Sequence, residues 1–347
     1  MKNLLRIKVF VVAVILFMSC EKVFMHPNTD GTNKAVFEEY AKISIEKFGL
    51  EEVKGIDLRP LVDSIRPLIN ESLSEQELFN LMSIITLRMQ EGHTNLTGSD
   101  DMYTSYLYFA GYPVGGNFSV IQKYYGEENN PTVRKIAPPE SLWEIVYGFL
   151  PDHPTIGFIQ ILTFDMEVSN SELDEMMEYL SSAEGIIIDV RSNLGGYIEL
   201  GARMASRFTD EVVPFGTIYV KNGPEADDFA PTKTTLTPSD GPHHFTKPVA
   251  VLHDRITFST GSLFSIMMYH MDHVTTLGIP FGGGTGEIMD GMLQNGWIYT
   301  ISTANFVDEM GRPTDNGIEP DIPVVIDPED TVHDAIIERA IMELKQG

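Results

Sequence analysis

The chain has 347 residues, of which 43 % are hydrophobic and 21 % are charged, a balance typical of a folded protein and not of a disordered one. This length suits one large domain or two of ordinary size. The formal net charge is −26 and there is no Lys/Arg-rich run, which argues against a nucleic acid partner because phosphates are bound by basic surfaces.

The first twenty residues show the features of a bacterial secretion signal in the usual order. A basic start precedes an apolar run over residues 9–18, which is too short to span a bilayer, and Ser19-Cys20 follows. Cys20 is the only cysteine, so a disulfide within the chain is excluded, and a small residue before a lone Cys resembles a lipobox. We predict a signal peptide over 1–19, an acyl anchor on Cys20 and a tether over 20–33. The alternative is a free Cys after an ordinary signal peptide.

Hydrophobic patterns divide the remaining chain into three parts. Residues 34–96 carry apolar side chains at helical spacing, and Ser74 with Glu77 fits a capping box, so we predict a small N-terminal helical domain. Residues 97–154 mix aromatic residues with Gly and Pro, and we expect a connecting β-rich segment of two or three strands. Over 155–347, short Ile- and Val-rich runs alternate with helical patterns, which predicts βαβ units around a largely parallel sheet in an α/β core.

The predicted core elements follow each other closely. The predicted strands are TIGFIQIL, GIIIDV, PVAVLH and VTTLGI, and the predicted helices cover 170–182, 197–208, 260–272 and 331–345. In the N-terminal part, the helix after Ser74 is expected to stop at Gly92, since glycine commonly ends helices. His93 follows directly, in EGHTNL.

Ser259 lies where the predicted strand PVAVLH gives way to a predicted helix. A serine at such a turn suits a nucleophile, because the helix N-terminus favours negative charge and the Thr260 N–H can donate to a developing oxyanion. The alternative is that Ser259 caps the helix, a common role of serine.

A second strand-to-helix turn, DVRSNLGGY, has two adjacent glycines. Either Gly195 or Gly196 is suited to supply a second oxyanion N–H, because glycine lets the backbone approach a ligand closely. We expect Asp189 and Arg191 to brace this loop and not to react. The alternative is a Gly-rich turn without a ligand, and the turn does not fit a phosphate-binding loop. His93 alone is a weak signal, since a single His in a polar turn is more often structural.

Taken together, five elements in this order resemble the tail-specific (C-terminal-processing) and tricorn-core serine peptidases. EGHTNL is similar to the DGHTNL-type element of that family, DVRSNLGG to D-x-R-x-N-x-G-G, TFSTGS to T-x-S-A-x-E, GIPFGGGTG to G-x-x-T-G-G-G, and NGIEPD to G-[IV]-x-P-D. The resemblance extends over about residues 35–345, without an evident PDZ domain. It implies a layered Clp-protease/crotonase-like core that hydrolyses peptide bonds of a polypeptide substrate, with no cofactor and no metal.

The resemblance also implies roles for individual residues. Ser259 matches the nucleophile, and His93 matches the base of tricorn-like members. The position of the lysine in the Ser–Lys members is Gly284 here, and the only lysine after Ser259 is Lys345. A neutral imidazole is a suitable base near pH 7. Thr260 with Gly195 or Gly196 would then form the oxyanion hole.

Two departures from the family pattern leave the third catalytic residue open. Thr314 stands at the position of the orienting Glu, with Asp315 beside it as the first substitute and Glu319 as the second. Ser262 replaces the usual acid of the nucleophile turn. These departures leave open an alternative function, a catalytically inactive lipoprotein of this fold that binds peptides or another ligand.

Other assignments explain fewer of the motifs. A crotonase-like acyl-CoA enzyme is the third hypothesis, but secretion would separate it from cytosolic CoA and would leave Ser259 without a role. Among the other histidines, His253 and His270 are expected within a strand and a helix, while His243 and His244 lie in a polar loop. The sequence therefore predicts a lipid-anchored serine peptidase of the cell envelope, on the periplasmic or the surface face.

Overall fold

The structure, a computed structural model, describes residues 31–99, 102–104, 118–128, 130–138, 144–327 and 330–346. The predicted signal peptide and Cys20 lie outside the described residues. Within the described ranges, no helix combines the length and the apolar composition that crossing a membrane requires.

Helices and strands are numbered in chain order. The α-helices are α1 Asn33–Lys47, α2 Glu51–Lys54, α3 Arg59–Ile65, α4 Glu75–Met89, α5 Phe118–Tyr125, α6 Asn170–Leu180, α7 Ile198–Ala205, α8 Thr260–Tyr269 and α9 Ala335–Leu344, with 3₁₀ turns at Arg66–Leu68 and Ser206–Phe208. The strands are β1 Asn95–Thr97, β2 Arg134–Ile136, β3 Ile145–Leu150, β4 His153–Ile161, β5 Gly185–Asp189, β6 Val213–Lys221, β7 Phe229–Leu236, β8 Val249–His253, β9 Val274–Gly278, β10 Ile288–Met292, β11 Ile298–Ser302, β12 Ala304–Asp308 and β13 Ile322–Pro323.

The largest described sheet has the strand order β13-β9-β8-β5-β4-β3-β2. The neighbouring strands β13, β9, β8, β5 and β4 are parallel to each other. Strand β3 pairs antiparallel with β4, and β2 pairs antiparallel with β3. Strands β5 and β8 are buried at every position, because helices cover both faces of the sheet. The predicted α/β core is confirmed, and its four predicted strands form β4, β5, β8 and β9.

Side chains that alternate along β5 and β8 enter two different hydrophobic clusters. Ile186 and Val249 belong to the cluster that contains α6, α7 and α8, while Ile187 and Ala250 belong to the cluster that contains α5 and α9. The carboxyl ends of these strands lead directly into the DVRSNLGG turn and the Ser259 turn. The sheet therefore brings the two predicted site segments to the same edge.

Two local predictions differ from the structure. Phe118–Tyr125 lies in the segment expected to be β-rich but forms α5, whose buried residues Val120, Ile121 and Tyr125 give it one apolar face. Helix α4 ends before the expected Gly92, because Gln90 adopts a left-handed conformation with φ 52°. The capping box of Ser74 and Glu77 is present as predicted.

The N-terminal helices share their core with a hairpin from the other end of the chain. Strand β11 pairs with β10 on one side and with β1 on the other, and Trp297 and Tyr299 enter the same cluster as α1 and α4. The Trp297 ring packs edge-on against Phe79 with ring centroids 5.3 Å apart, and its Nε1–H donates to Glu75 Oε1 at 3.1 Å. This shared core fixes the loop between α4 and β1, which carries His93, against the rest of the molecule.

Candidate active site

Ser259 occupies the turn between β8 and α8 in an unusual backbone conformation. Its φ is 55° and its ψ is −124°, a region that residues other than glycine rarely adopt. The Ser259 side chain makes no capping hydrogen bond to α8, while its N–H donates to the Gly283 carbonyl at 2.9 Å. Helix capping therefore does not explain the serine at this position, because its Oγ does not cap α8.

The glycine turn lies directly against Ser259. A Cβ on Gly195, whose φ is 103°, would lie 2.6 Å from the Ser259 Cβ. A Cβ on Gly196, whose φ is 129°, would lie 2.1 Å from the Asp165 nitrogen. Glycine is required at both positions because φ is positive and the surrounding atoms leave no room for a side chain.

The N–H groups of this turn differ in what they contact. The Gly195 N–H donates to Asn193 Oδ1 at 2.8 Å and is thus engaged. Among the described residues, neither the Gly196 N–H nor the Thr260 N–H donates to a protein acceptor. The Thr260 hydroxyl donates to the Gly196 carbonyl at 2.6 Å, which holds the two backbones together. Of the two predicted glycines, Gly196 is the one with an available donor.

A buried cluster of charged side chains supports the glycine turn. The Arg191 guanidinium donates to both carboxylate oxygens of Asp189 at 2.9 and 2.6 Å, and to Asp334, the N-cap of α9, at 2.8 Å. Burial alone would lower the pKa of Arg191, but these two carboxylates raise it well above its ordinary value. Asp189 and Arg191 therefore support the loop, as the sequence predicted.

The loop that carries His93 packs against the residue before the serine. The rings of His93 and Phe258 lie 4.6 Å apart between centroids. Gly92 and Gly284 flank the Phe258 ring so closely that a Cβ would lie 2.7 Å or 2.4 Å, respectively, from its Cζ. The imidazole is thereby brought next to the Ser259 turn from a distant part of the chain.

Glu91 is the carboxylate that faces His93. Its Oε1 lies 3.4 Å from His93 Nδ1, an electrostatic contact whose geometry falls short of a hydrogen bond. The Glu91 carboxylate also accepts from the His93 N–H at 3.0 Å, the Thr94 N–H at 2.9 Å and the Ser302 hydroxyl at 2.6 Å. Burial opposes ionisation of Glu91, but these donors and the charge of His93 lower its pKa below the ordinary value.

Asp315 and Glu319, the two carboxylates predicted to orient the base, lie in different surroundings. Asp315 is buried, with Oδ2 2.5 Å from the Lys54 ammonium and Oδ1 accepting from the Gly284 N–H at 2.9 Å. Glu319 is exposed to solvent. Sequence reasoning missed Glu91, although its position two residues before His93 was a readable signal.

Three of the competing histidines make polar contacts of their own elsewhere in the fold. His253 is buried in β8 and bonds the Ile279 carbonyl through Nδ1 at 2.8 Å, and burial lowers its pKa to about 4. His270 ends α8, with Nε2 3.7 Å from Asp308. His244 bonds the Ser239 carbonyl. These contacts explain the three side chains without a role at Ser259.

A cavity opens beside the glycine turn. Its volume is about 630 Å³, and it is lined in part by Leu194, Gly195, Gly196, Phe118 and Ile121. Such a volume holds several amino acid side chains. The cavity thus provides space for a substrate segment next to the predicted oxyanion donors.

Two comparisons with known proteins bear on the family of the chain. The sequence profile of Peptidase family S41 matches residues 155–324. The crystal structure of a predicted peptidase from Parabacteroides merdae is 30 % identical, aligns with 90 % of this chain and 96 % of that chain, and superposes with a TM-score of 0.81. The chain belongs to peptidase family S41. The resemblance predicted from the five motifs is therefore confirmed.

Other known proteins match a smaller part of the chain or share the fold alone. Carboxy-terminal processing protease CtpA of Bacillus subtilis is 29 % identical over 145 residues, which is 41 % of this chain and 29 % of that protein. The aligned region thus spans less than a third of the length of the curated relatives. Mature CPAF superposes over 90 % of this chain and 97 % of its own with a TM-score of 0.64 at 13 % identity, which shows a common fold.

Proposed function

We propose that this S41 protein is a serine peptidase that hydrolyses peptide bonds of envelope or extracellular polypeptides, with Ser259 as nucleophile and His93 as base. The observation that carries this proposal is the Ser259 turn. The serine has a strained backbone, does not cap its helix and lies against Gly195, while the His93 ring contacts the adjacent Phe258. A conformation of this cost is retained where function requires it.

In the proposed mechanism, His93 accepts the Ser259 proton as Oγ attacks the carbonyl carbon of the scissile peptide bond. The N–H groups of Thr260 and Gly196 donate to the resulting oxyanion, and the dipole of α8 favours its charge. His93 then donates the proton to the leaving amine. A water molecule, deprotonated by His93, releases the acyl group from Ser259 by the same steps in reverse order.

We propose Glu91 as the acid that orients His93, in place of Asp315 or Glu319. Its support is the short distance to Nδ1 and the set of donors that keep the carboxylate ionised. An ionised carboxylate beside Nδ1 stabilises the imidazolium that forms during attack. The 3.4 Å separation suits a resting site, since catalytic hydrogen bonds often tighten only when substrate binds.

A fluorophosphonate probe tests the proposal without knowledge of the substrate. Labelling requires both an activated serine and an oxyanion site, because the phosphoryl oxygen of the probe takes the place of the tetrahedral oxyanion. We expect wild-type protein to be labelled at Ser259 and Ser259→Ala to be inert. Ser181→Ala, at the exposed end of α6, serves as the control and should label normally.

The base is tested in the same assay. His93→Ala should lower the labelling rate by roughly 10²–10⁴-fold, the usual contribution of general-base assistance. If folded wild-type protein stays unlabelled from about pH 6 to pH 9, the protein is not a serine hydrolase. It would then fit the alternative function, an inactive S41 lipoprotein that binds peptides or another ligand.

A further inference from the structure

A lysine from the N-terminal helices reaches into the core next to the active site. Lys54 ends α2, and its side chain is only 7 % exposed. Its ammonium lies 2.5 Å from Asp315 Oδ2 and donates to Asn316 Oδ1 at 2.9 Å. A buried ammonium has to be compensated in this way, because removing it from water is costly.

Asp315 connects this lysine to the backbone of the nucleophile turn. Asp315 Oδ1 accepts from the Gly284 N–H at 2.9 Å, and the neighbouring Gly283 carbonyl accepts from the Ser259 N–H at 2.9 Å. Gly283 is itself confined, since a Cβ there would lie 2.0 Å from the Asp315 carbonyl oxygen. A continuous chain of contacts therefore runs from Lys54 to the strained backbone of Ser259.

Lys54 also balances the charge of the site. Burial and the nearby Glu91 carboxylate raise the pKa of Asp315, while the Lys54 ammonium opposes this rise. Without the ammonium, Asp315 would lie buried near the Glu91 carboxylate with no lysine charge to oppose the rise in its pKa, and it would take up a proton more readily. A protonated Asp315 is a weaker acceptor for the Gly284 N–H.

We propose that Lys54 is a positioning residue of the catalytic site, which acts by keeping Asp315 ionised against the Gly283–Gly284 turn and so holds Ser259 in its reactive conformation. This inference rests on the proposed function. It assigns the N-terminal helices a part in catalysis beyond folding. Removal of the charge at Lys54 alone should disturb the backbone conformation of Ser259. Removal of the Asp315 charge in the same protein should restore that conformation.

Amide hydrogen exchange tests the structural link independently of activity. In Lys54→Met, peptides covering 255–262 and 281–287 should exchange about tenfold faster or more, because the hydrogen bonds that hold the turn weaken. Exchange in α6, on another part of the core, should stay unchanged. Lys42→Met, at an exposed position of α1, is the control and should match the wild type. Unchanged exchange in Lys54→Met would overturn the proposal.

The double variant Lys54→Met/Asp315→Asn removes both charges and keeps an acceptor oxygen for the Gly284 N–H. Loss of one partner of a buried pair is strongly destabilising, whereas loss of both is close to neutral. The double variant should therefore fold and regain slow exchange even if Lys54→Met does not fold. A double variant as impaired as the single one would contradict the proposed role.

Fluorophosphonate kinetics complete the test. The maximal inactivation rate should fall by about 10- to 100-fold in Lys54→Met with an unchanged probe affinity, since misplacement of a reactive group affects the chemical step. The double variant should recover to within a few-fold of the wild type. A loss confined to affinity would overturn the positioning role. Absence of labelling in the wild type would instead refute the proposed function, and the exchange result would still decide whether Lys54 holds the turn.

Discussion

At the scale of single residues, Glu91 is the carboxylate that lies beside the base, with its Oε1 3.4 Å from His93 Nδ1. The family pattern directs attention to the region of Gly317, where Thr314 and Asp315 lie, but the structure pairs Asp315 with Lys54. The position of Glu91, two residues before His93 in EGHTNL, could be read from the sequence, but the direction in which its side chain turns within the loop could not. By contrast, Ser259, His93 and the two glycines lie within recognisable motifs, and the structure brings them to one edge of the sheet.

Replacement of Glu91 by glutamine tests its proposed role. Gln keeps the shape of the side chain but loses the charge that stabilises an imidazolium, so Glu91→Gln should lower the fluorophosphonate labelling rate about 10²-fold or more. Glu319→Gln, at an exposed position, should label like the wild type. A labelling rate that falls in Glu319→Gln and not in Glu91→Gln would contradict the assignment of Glu91.

His253 should make the stability of the protein depend on pH. Burial lowers its pKa to about 4, against about 6.5 in the unfolded chain. As the pH falls, the unfolded state therefore binds a proton on His253 at a higher pH than the folded state does. The stability that His253 provides is thus complete above about pH 6.5 and decreases as the pH falls towards 4. Between pH 8 and pH 5 the loss amounts to about 2 kcal/mol.

Urea unfolding of His253→Asn at both pH values measures this contribution. Asn keeps a donor for the Ile279 carbonyl but does not titrate, so the pH dependence of its unfolding free energy should be smaller than in the wild type by about 2 kcal/mol. His333→Asn, whose side chain is 64 % exposed, should keep the pH dependence of the wild type. Equal pH dependence in all three proteins would show that His253 is not held neutral.

At the scale of elements, the glycine turn gives a sharp test of close approach. Gly195→Ala would place a methyl group 2.6 Å from the Ser259 Cβ, so it should abolish labelling. Gly296→Ala is a matched control, because Gly296 also has a positive φ of 89° but no atom within 4 Å. The control should lose about 1 kcal/mol of stability and label normally. Normal labelling of Gly195→Ala would show that the turn does not form part of the site.

How far the elements could be predicted depends on their burial. Strands β4, β5, β8 and β9 are short, largely buried segments rich in apolar residues and were found from sequence. Strand β7 has only one fully buried residue, at Leu236, and like β6 and β12 it lies in an antiparallel sheet whose pattern is weaker. These strands, and the β10–β11 hairpin, were not predicted, and two of their pairings, β12 with β6 and β11 with β1, join parts of the chain that are distant in sequence.

At the scale of the whole molecule, the attachment to a membrane remains a proposal based on sequence. The basic start, the apolar run over 9–18 and the lone Cys20 motivate it. Expression with the native N-terminus should yield protein that fractionates with membranes and carries an acyl group on Cys20. Cys20→Ser should release the protein or leave the signal peptide uncleaved. Membrane fractionation of Cys20→Ser equal to that of the wild type would contradict the anchor.

The N-terminal helices and the peptidase core should unfold as one unit, although the sequence suggested a separate helical domain. The reason is Trp297, which is 1 % exposed and lies among residues of α1 and α4 although it belongs to the C-terminal half. Trp297→Ala should therefore destabilise the whole protein by about 3–5 kcal/mol, as expected for a large buried ring. Leu68→Ala, at a residue that is 53 % exposed, should change stability by no more than about 0.5 kcal/mol.

Cooperativity can be measured directly because the chain has only 2 tryptophans, Trp143 and Trp297. In Trp143→Phe, the fluorescence of Trp297 reports on the interface between helices and hairpin, while far-UV circular dichroism reports on the whole fold. The two urea transitions should coincide, as they do when no intermediate is populated. An earlier fluorescence transition would mean that the N-terminal helices separate first. In that case the loop with His93 would leave Ser259 before the core unfolds, and labelling should disappear at the same urea concentration as the fluorescence signal.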